Sequence, residues 1–362
     1  MKLSERDLWL AVCGTPGIGP RSFYQLLETF GRLEHFWCAS ETEVRERAAP
    51  LGARRLQALL RTRQTFNLEA TLERLARAKV KYVTLLDADY PENLKTIFDP
   101  PPVLYYRGEL KAEDALAVAI VGSRRATPYG REAATRLARE LAQAGVTVVS
   151  GLARGIDSCA HRGALAGGGR TLAVLGSGLD VIYPPENARL YAEIAENGAV
   201  ISEFPLGAAP EPGHFPLRNR VISGLSRAVV VVEAARTSGS LITADCALEQ
   251  GREVLAVPGP ITSPLSWGTN NLIKQGAKLL QEAADVLAGL GVPSPGAEEA
   301  TRPDLTSQEE KVYSFFSERA LHIDELVHLS GLTVQEVTAI LMMLELKGLV
   351  RQLPGKMFCR LS

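Results

Sequence analysis

Between residues 117 and 290, short apolar runs alternate with longer amphipathic segments. The runs fall at 117–121, 146–150, 171–175, 199–203, 228–233 and 253–257, and most stop at or just before glycine, serine or a carboxylate. Between them the apolar residues recur at helical spacing. This alternation predicts βαβ units with right-handed crossovers, hence a parallel sheet buried on both faces. The run AVVVVEA at Ala228 is too uniformly apolar for a half-exposed strand. Residues 81–87 and 103–106 predict two more strands at the edge of this sheet. A short helix beginning near Tyr90-Pro91 and the irregular Pro100-Pro101-Pro102 stretch lie between them.

The flanks read differently. Residues 1–80 are a helical domain. Within it, Gly17-Ile18-Gly19 makes a tight turn before Pro20, and Phe23, Leu26, Leu27 and Phe30 share one helix face. Such a hairpin can present helix N-terminal N–H groups to a DNA backbone, but a purely packing role carries more weight, and Arg54, Arg55, Arg61, Arg63, Arg74 and Arg77 read as a solvated face. After the 81–290 domain, residues 291–305 are a Pro/Gly/Ala/Glu-rich linker. Residues 306–362 predict helix, strand, helix, helix and hairpin, the order of a winged helix. The two long helices open on the capping boxes Thr306–Glu309 and Thr333–Glu336, and the hairpin turns at Pro354-Gly355. Its would-be recognition helix bears Glu336 and Glu345 and no cation before Lys347, which favours a protein-contact or accessory role over groove reading.

The candidate chemistry lies where the predicted strands end. The first central strand ends in Gly122-Ser123-Arg124, followed by Thr127-Pro128 as a helix cap and first turn; free N–H groups there would hold phosphate. The next strands end in Ser150-Gly151 with Arg154 and in Gly176. Further on stand Phe215, Arg218, Asn219 and Arg220, and then Arg236 with Ser238-Gly239-Ser240. Small residues let a backbone approach a ligand, and several such turns on one rim with arginines beside them point to a phosphate-binding edge. Phe215, Tyr129 and Leu217 are candidates for base contacts. Glu233 and Asp157 read as arginine partners or helix caps, and His161, in an apolar helix, reads as packed.

Composition adjusts this picture only slightly. Forty Lys+Arg against 41 Asp+Glu leave a net charge of −1, so nucleic acid would have to be held by a local arginine groove. Five scattered cysteines without metal-ligand spacing, no apolar run of spanning length and early charges at Lys2, Glu5, Arg6 and Asp7 give the expectation of a cytoplasmic protein with no membrane contact, no metal and no cofactor.

The stretches GSR at Gly122, SGLARGID at Ser150, VLGSGLDVIYPPEN at Val174, ISEFPLG at Ile201, FPLRNRVISGLS at Phe215 and VVVEAARTSGSLITADCALEQGREVLAVPG at Val230 together resemble the DprA (DNA-processing protein A) family. The resemblance implies an α/β fold: an extended Rossmann-like parallel sheet, an N-terminal helical domain (sterile-alpha-motif-like or helix-hairpin-helix) and a C-terminal winged helix. It implies a non-enzymatic protein that binds single-stranded DNA without sequence preference, protects incoming strands and loads RecA recombinase during natural transformation, with a single-stranded DNA-binding protein as a further partner. It carries DNA contact onto Gly122, Ser123, Arg124, Arg218 and Arg220, and a homodimer contact onto about residues 270–280. The rival is a phosphoribohydrolase-like nucleotide-processing enzyme in which Glu233 would serve catalysis. Its PGGxGT turn, a GxGxxG turn and a GxxxxGK[ST] loop are all missing from the sequence. A third reading is a scaffold whose terminal domains do the work.

Overall fold

A computed structural model describes residues 3–293, 305–316, 321–347, 349–353 and 355–360. The chain divides into two compact units, Met1–Pro293 and Ser294–Ser362.

The first unit begins with six helices: α1 (Glu5–Cys13), α2 (Pro20–Phe30), α3 (Leu33–Cys38), α4 (Glu41–Arg47), α5 (Ala53–Thr65) and α6 (Leu68–Arg77). Then follow β1 (Lys81–Thr84), α7 (Glu92–Lys95), β2 (Val103–Gly108), β3 (Ala117–Gly122), α8 (Pro128–Gln143), β4 (Thr147–Ser150), α9 (Ile156–Ala166) and β5 (Thr171–Val174). The unit continues through α10 (Ala188–Asn197), β6 (Gly198–Ser202), α11 (His214–Gly224), β7 (Ala228–Val232), α12 (Gly239–Glu249), β8 (Glu253–Ala256), α13 (Trp267–Lys274), β9 (Lys278–Leu279) and α14 (Ala283–Leu290).

The nine strands form one sheet in the order β1-β2-β6-β5-β4-β3-β7-β8-β9. From β6 to β9 every pair is parallel, whereas β1 and β2 run antiparallel at one edge. The parallel part starts at β3, winds outward through β4, β5 and β6, and returns to β7 on the other side of β3. The order therefore reverses between β3 and β7, the place where open α/β sheets leave a crevice beyond their strand ends. Successive β3 residues serve opposite cores. Val118 and Ile120 pack with α8, α9 and α14, while Ala119 and Val121 pack with α11, α12 and α13. The six leading helices share a third core with Leu152, Ala173, Leu175, Leu190 and Val200, so they lie against the β5–β6 side of the sheet.

The second unit holds α15 (Ser307–Tyr313), β10 (Leu321–His322), α16 (Ile323–Ser330), α17 (Val334–Leu346), β11 (Val350–Leu353) and β12 (Met357–Arg360). Its antiparallel sheet, in the order β10-β12-β11, and its helices enclose Val312, Leu326, Val337, Leu341, Leu344 and Val350. This is a winged helix. The helix expected to reach about Arg319 ends at Tyr313; residues 317–320, and 294–304 of the expected linker, lie outside the described residues.

Candidate nucleic-acid interface

The turn after β3 is held by its neighbours. A Cβ on Gly122 would lie 1.8 Å from the Val232 carbonyl oxygen, and one on Gly155 would lie 2.3 Å from the Ser123 carbonyl oxygen. Gly155 also takes φ +76°, a conformation suited to glycine, and the Ile156 N–H donates to Ser123 O at 3.2 Å. The β4–α9 loop thus clamps the Gly122-Ser123-Arg124 turn from one side. Ser123 is buried and its Oγ accepts the Arg125 N–H at 3.1 Å, closing the turn.

Most of the small residues expected to admit a ligand instead admit other parts of the protein. Ser150 is fully buried and donates to Ile120 O at 2.6 Å. A Cβ on Gly151 would meet the Arg218 guanidinium at 2.5 Å, and one on Gly176 would meet the Phe215 ring at 3.1 Å. Of the four candidate contact glycines, Gly122, Gly151, Gly176 and Gly239, only Gly239, at the start of α12, has open space where a side chain would go. Ser238 caps that helix, its Oγ accepting the Ser240 N–H at 3.4 Å and lying 2.8 Å from Ser240 Oγ.

The start of α8 also differs from expectation. Thr127 and Pro128 do begin the helix, and Thr127 Oγ1 accepts the Gly130 N–H at 3.2 Å. However, the Glu233 carboxylate accepts the Thr127 N–H at 2.9 Å and its hydroxyl with the other oxygen, and fills the space where Gly130 lacks a side chain. The anion favoured at this N-terminus is one of the protein's own. Glu233 holds φ 54° to do so, and that carboxylate plugs the place a nucleotide pyrophosphate takes on related sheets. Its role here is capping, as the sequence suggested.

The arginines separate into two kinds. Arg218 and Arg220, read from sequence as strand contacts, are only 5% and 7% exposed. Arg218 Nη1 donates to Gly151 O at 2.7 Å and to Val174 O, and its Nε donates to Asn219 Oδ1 at 3.2 Å, joining the ends of β4, β5 and α11. Burial lowers its pKa to about 10, with nearby Asp157 opposing that shift. Asp157, raised above the usual carboxylate range by burial, accepts the N–H groups of Gly151 at 3.2 Å and Ala153 at 3.4 Å. Arg220 pairs with Glu203 and Asp99 and donates to Asp99 O at 2.6 Å. Each is buried because carbonyl oxygens and carboxylates from distant strands converge on it. Asn219 is likewise internal, its Nδ2 donating to Gly239 O at 3.1 Å.

Arg124, Arg125, Arg154 and Arg236 remain exposed. The Arg124 guanidinium stands over the Phe215 ring, 5.3 Å from its centroid, and the Tyr183 ring lies 5.7 Å from Phe215. This is a cation beside a partly exposed two-ring aromatic surface. Arg154 pairs with Glu186 at the surface, a contact of small net worth that an incoming phosphate can replace. Of the other aromatic and apolar candidates, Tyr129 donates to Pro258 O at 2.9 Å with its ring half-exposed, and Leu217 is exposed. Tyr183 was not legible as a site residue. Its only signal was an aromatic before Pro184-Pro185 in the loop beyond β5.

Comparison with known proteins identifies this architecture. Residues 81–291 match the family model described as DNA recombination-mediator protein A, and residues 296–356 match the DprA winged helix domain. The chain belongs to the DprA family. Protein Smf of Synechocystis is 36% identical over 99% of this chain and 100% of its own length. The X-ray structure of DprA from Streptococcus pneumoniae superposes with a TM-score of 0.69 at 36% identity, covering 80% of this chain and 98% of that one. A structure of DNA processing protein A from Helicobacter pylori, described for its unique single-stranded DNA binding mode, gives a TM-score of 0.53 at 35% identity and covers 59% of this chain and 97% of that one. Both matched domains thus lie in one chain, and the GSR turn belongs to the larger of them. No single helix among the described residues is long and apolar enough to cross a membrane.

Proposed function

We propose that this DprA-family chain binds single-stranded DNA without sequence preference along the C-terminal edge of its parallel sheet, protects incoming strands and loads RecA recombinase onto them during natural transformation. The observation that carries the reading is Arg124, an exposed guanidinium over the half-exposed Phe215–Tyr183 surface at the end of β3. Charge for the backbone beside rings for the bases is what sequence-tolerant strand binding needs. The H. pylori relative, described for single-stranded DNA binding, supports the ligand class.

In this reading the chain works without catalysis or cofactor, in the cytoplasm. Its DNA contacts are Arg124, Phe215 and the turn at Gly122-Ser123, with Arg154 and the Ser238-Gly239-Ser240 turn beside them. Gly151, Ser150, Gly176, Arg218, Asn219 and Arg220 shape the rim from beneath. The homodimer forms through the segment around residues 270–280, where β9 is the free edge of the sheet and Leu279 is 46% exposed. A single-stranded DNA-binding protein is the further partner. The nucleotide-hydrolase alternative loses its support in Glu233, whose two oxygens are both engaged by Thr127.

The test is titration of labelled oligo-dT at several salt concentrations. Arg124→Ala is expected to weaken binding markedly, keep the thermal midpoint, and lower the salt slope by roughly 0.7 for each phosphate no longer neutralised. Unchanged binding, or release of free base from nucleoside monophosphates by the pure protein, would overturn the reading.

A further inference from the structure

The rim carries a second guanidinium-on-aromatic pair. Arg236, just beyond β7, stands over the Trp267 ring at 4.8 Å from its centroid. Trp267 is 43% exposed, whereas Trp9 is 4% exposed and lies in the helical core. The pair is also rigidly placed: Gly268 N–H donates to Ala234 O at 2.7 Å and Ala234 N–H to Leu265 O at 2.6 Å, so the start of α13 is tied to the end of β7.

Both pairs hang on helices from one face of the sheet. Phe215 is the second residue of α11 and Trp267 the first of α13, and both helices contribute to the core that Ala119 and Val121 face. The start of α12 is bonded to α11 through Asn219 Nδ2 and Gly239 O, and α12 contributes to the same core. There Gly239 leaves open space above capped N–H groups. Gly176, under Phe215, follows β5; Arg236 follows β7, three strands away. At about 4.8 Å per strand the Phe215 ring and Arg236 are separated by roughly 14 Å across the β3–β7 reversal, with Arg124, just beyond β3, between them in strand order.

The geometry points to Arg236–Trp267 as a second base-stacking platform on the same strand, which would run from Phe215 past the open start of α12 to Trp267. A guanidinium held over an indole offers its outer plane to a nucleobase and its edge N–H groups to phosphate oxygens. The ligand class is a nucleobase of any identity, since every base has a stackable face. This inference rests on the proposed rim site and adds where the strand leaves its first platform.

The test uses the full chain and labelled oligo-dT long enough to reach both pairs, with Trp267→Ala, Trp267→Phe, Arg236→Ala and Arg124→Ala compared. Trp267→Ala is expected to weaken binding by roughly fivefold to a hundredfold, and Trp267→Phe by much less, because a ring is kept. DNA should quench tryptophan emission in the parent protein, and Trp267→Phe should abolish that quench, which gives a readout even if the alanine variant folds poorly. If Arg124→Ala weakens binding while Trp267→Ala and Arg236→Ala bind like the parent and the quench survives in Trp267→Phe, the second platform is wrong and the rim reading stands. If Arg124→Ala also binds normally, the rim reading itself has failed.

Discussion

Arg218 offers the sharpest division between a structural arginine and one proposed to bind DNA. Replacing it by alanine leaves Gly151 O and Val174 O without a charged donor in a buried setting. Each deserted acceptor costs about 1–3 kcal/mol, so Arg218→Ala should destabilise the larger unit by about 2–6 kcal/mol. With about 2–4 °C of midpoint per kcal/mol in a large domain, the thermal midpoint should fall by roughly 4–24 °C. Buried Asp157 also loses the positive charge that opposes its protonation, which adds to the destabilisation at neutral pH. Arg124 makes the opposite forecast, since its guanidinium is exposed and stands only over Phe215; its removal should move the midpoint by no more than a surface change does.

The assay pairs a calorimetric scan with oligo-dT titrations at several salt concentrations, run well below the variant's own midpoint. Folded Arg218→Ala should keep the parent's salt slope even where its affinity falls, because every cation that meets a phosphate is still in place. Arg124→Ala should keep the midpoint and show a shallower slope. If Arg218→Ala instead melted like the parent and its slope dropped by roughly 0.7, Arg218 would touch phosphate directly and its assignment as an internal clamp would be refuted.

A buried carboxylate and an exposed edge strand give two further expected outcomes. Burial pushes Glu203 from 4.5 up to about 7, against the opposing charge of Arg220. The folded state then keeps a proton that the unfolded chain releases near 4.5, so this group's stabilising contribution is complete below that pH and fades as pH rises through 7. Urea midpoints of the parent should therefore decline between pH 5 and 8 more steeply than those of Glu203→Gln, and parallel curves would remove Glu203 as the cause. At the other end of the sheet, Leu279→Lys puts a charge on the exposed free edge next to Lys278 and should shift a dimeric parent to monomer mass in light scattering; an unchanged dimer would place the interface elsewhere.

The parallel core was readable because strands buried on both faces have nothing polar to interrupt them. Ala228–Val232 is at most 1% exposed along its whole length, and its sequence is correspondingly unbroken. β9 gave no such signal. It is two residues long, Lys278 and Leu279, both exposed, and exists only because it pairs with Leu255 and Ala256 of β8. The winged helix was readable from its caps, Thr306 with Glu309 and Thr333 with Glu336, both of which form.

Several of the groups assigned to the rim from sequence turn out to be internal, for one physical reason. Arginine and glycine have surface-like and ligand-like uses in a sequence, but their use is decided by groups far away along the chain. Arg218 meets carbonyls 67 and 44 residues away, and Arg220 meets the Asp99 carbonyl 121 residues away. Gly122 and Gly151 make room for Val232 and Arg218, not for a ligand. Even the anion site at the start of α8 belongs to Glu233, 106 residues from Thr127. Subtracting these internal uses leaves a short row of exposed cations, Arg124, Arg125, Arg154 and Arg236, on a chain of net charge −1. So few cations make one protomer's hold on a strand weak and give it only a shallow salt slope. On the proposed reading, the rest of the affinity comes from rings that stack without regard to sequence, and the proposed dimer would hold a second rim close, turning the second capture into an intramolecular event.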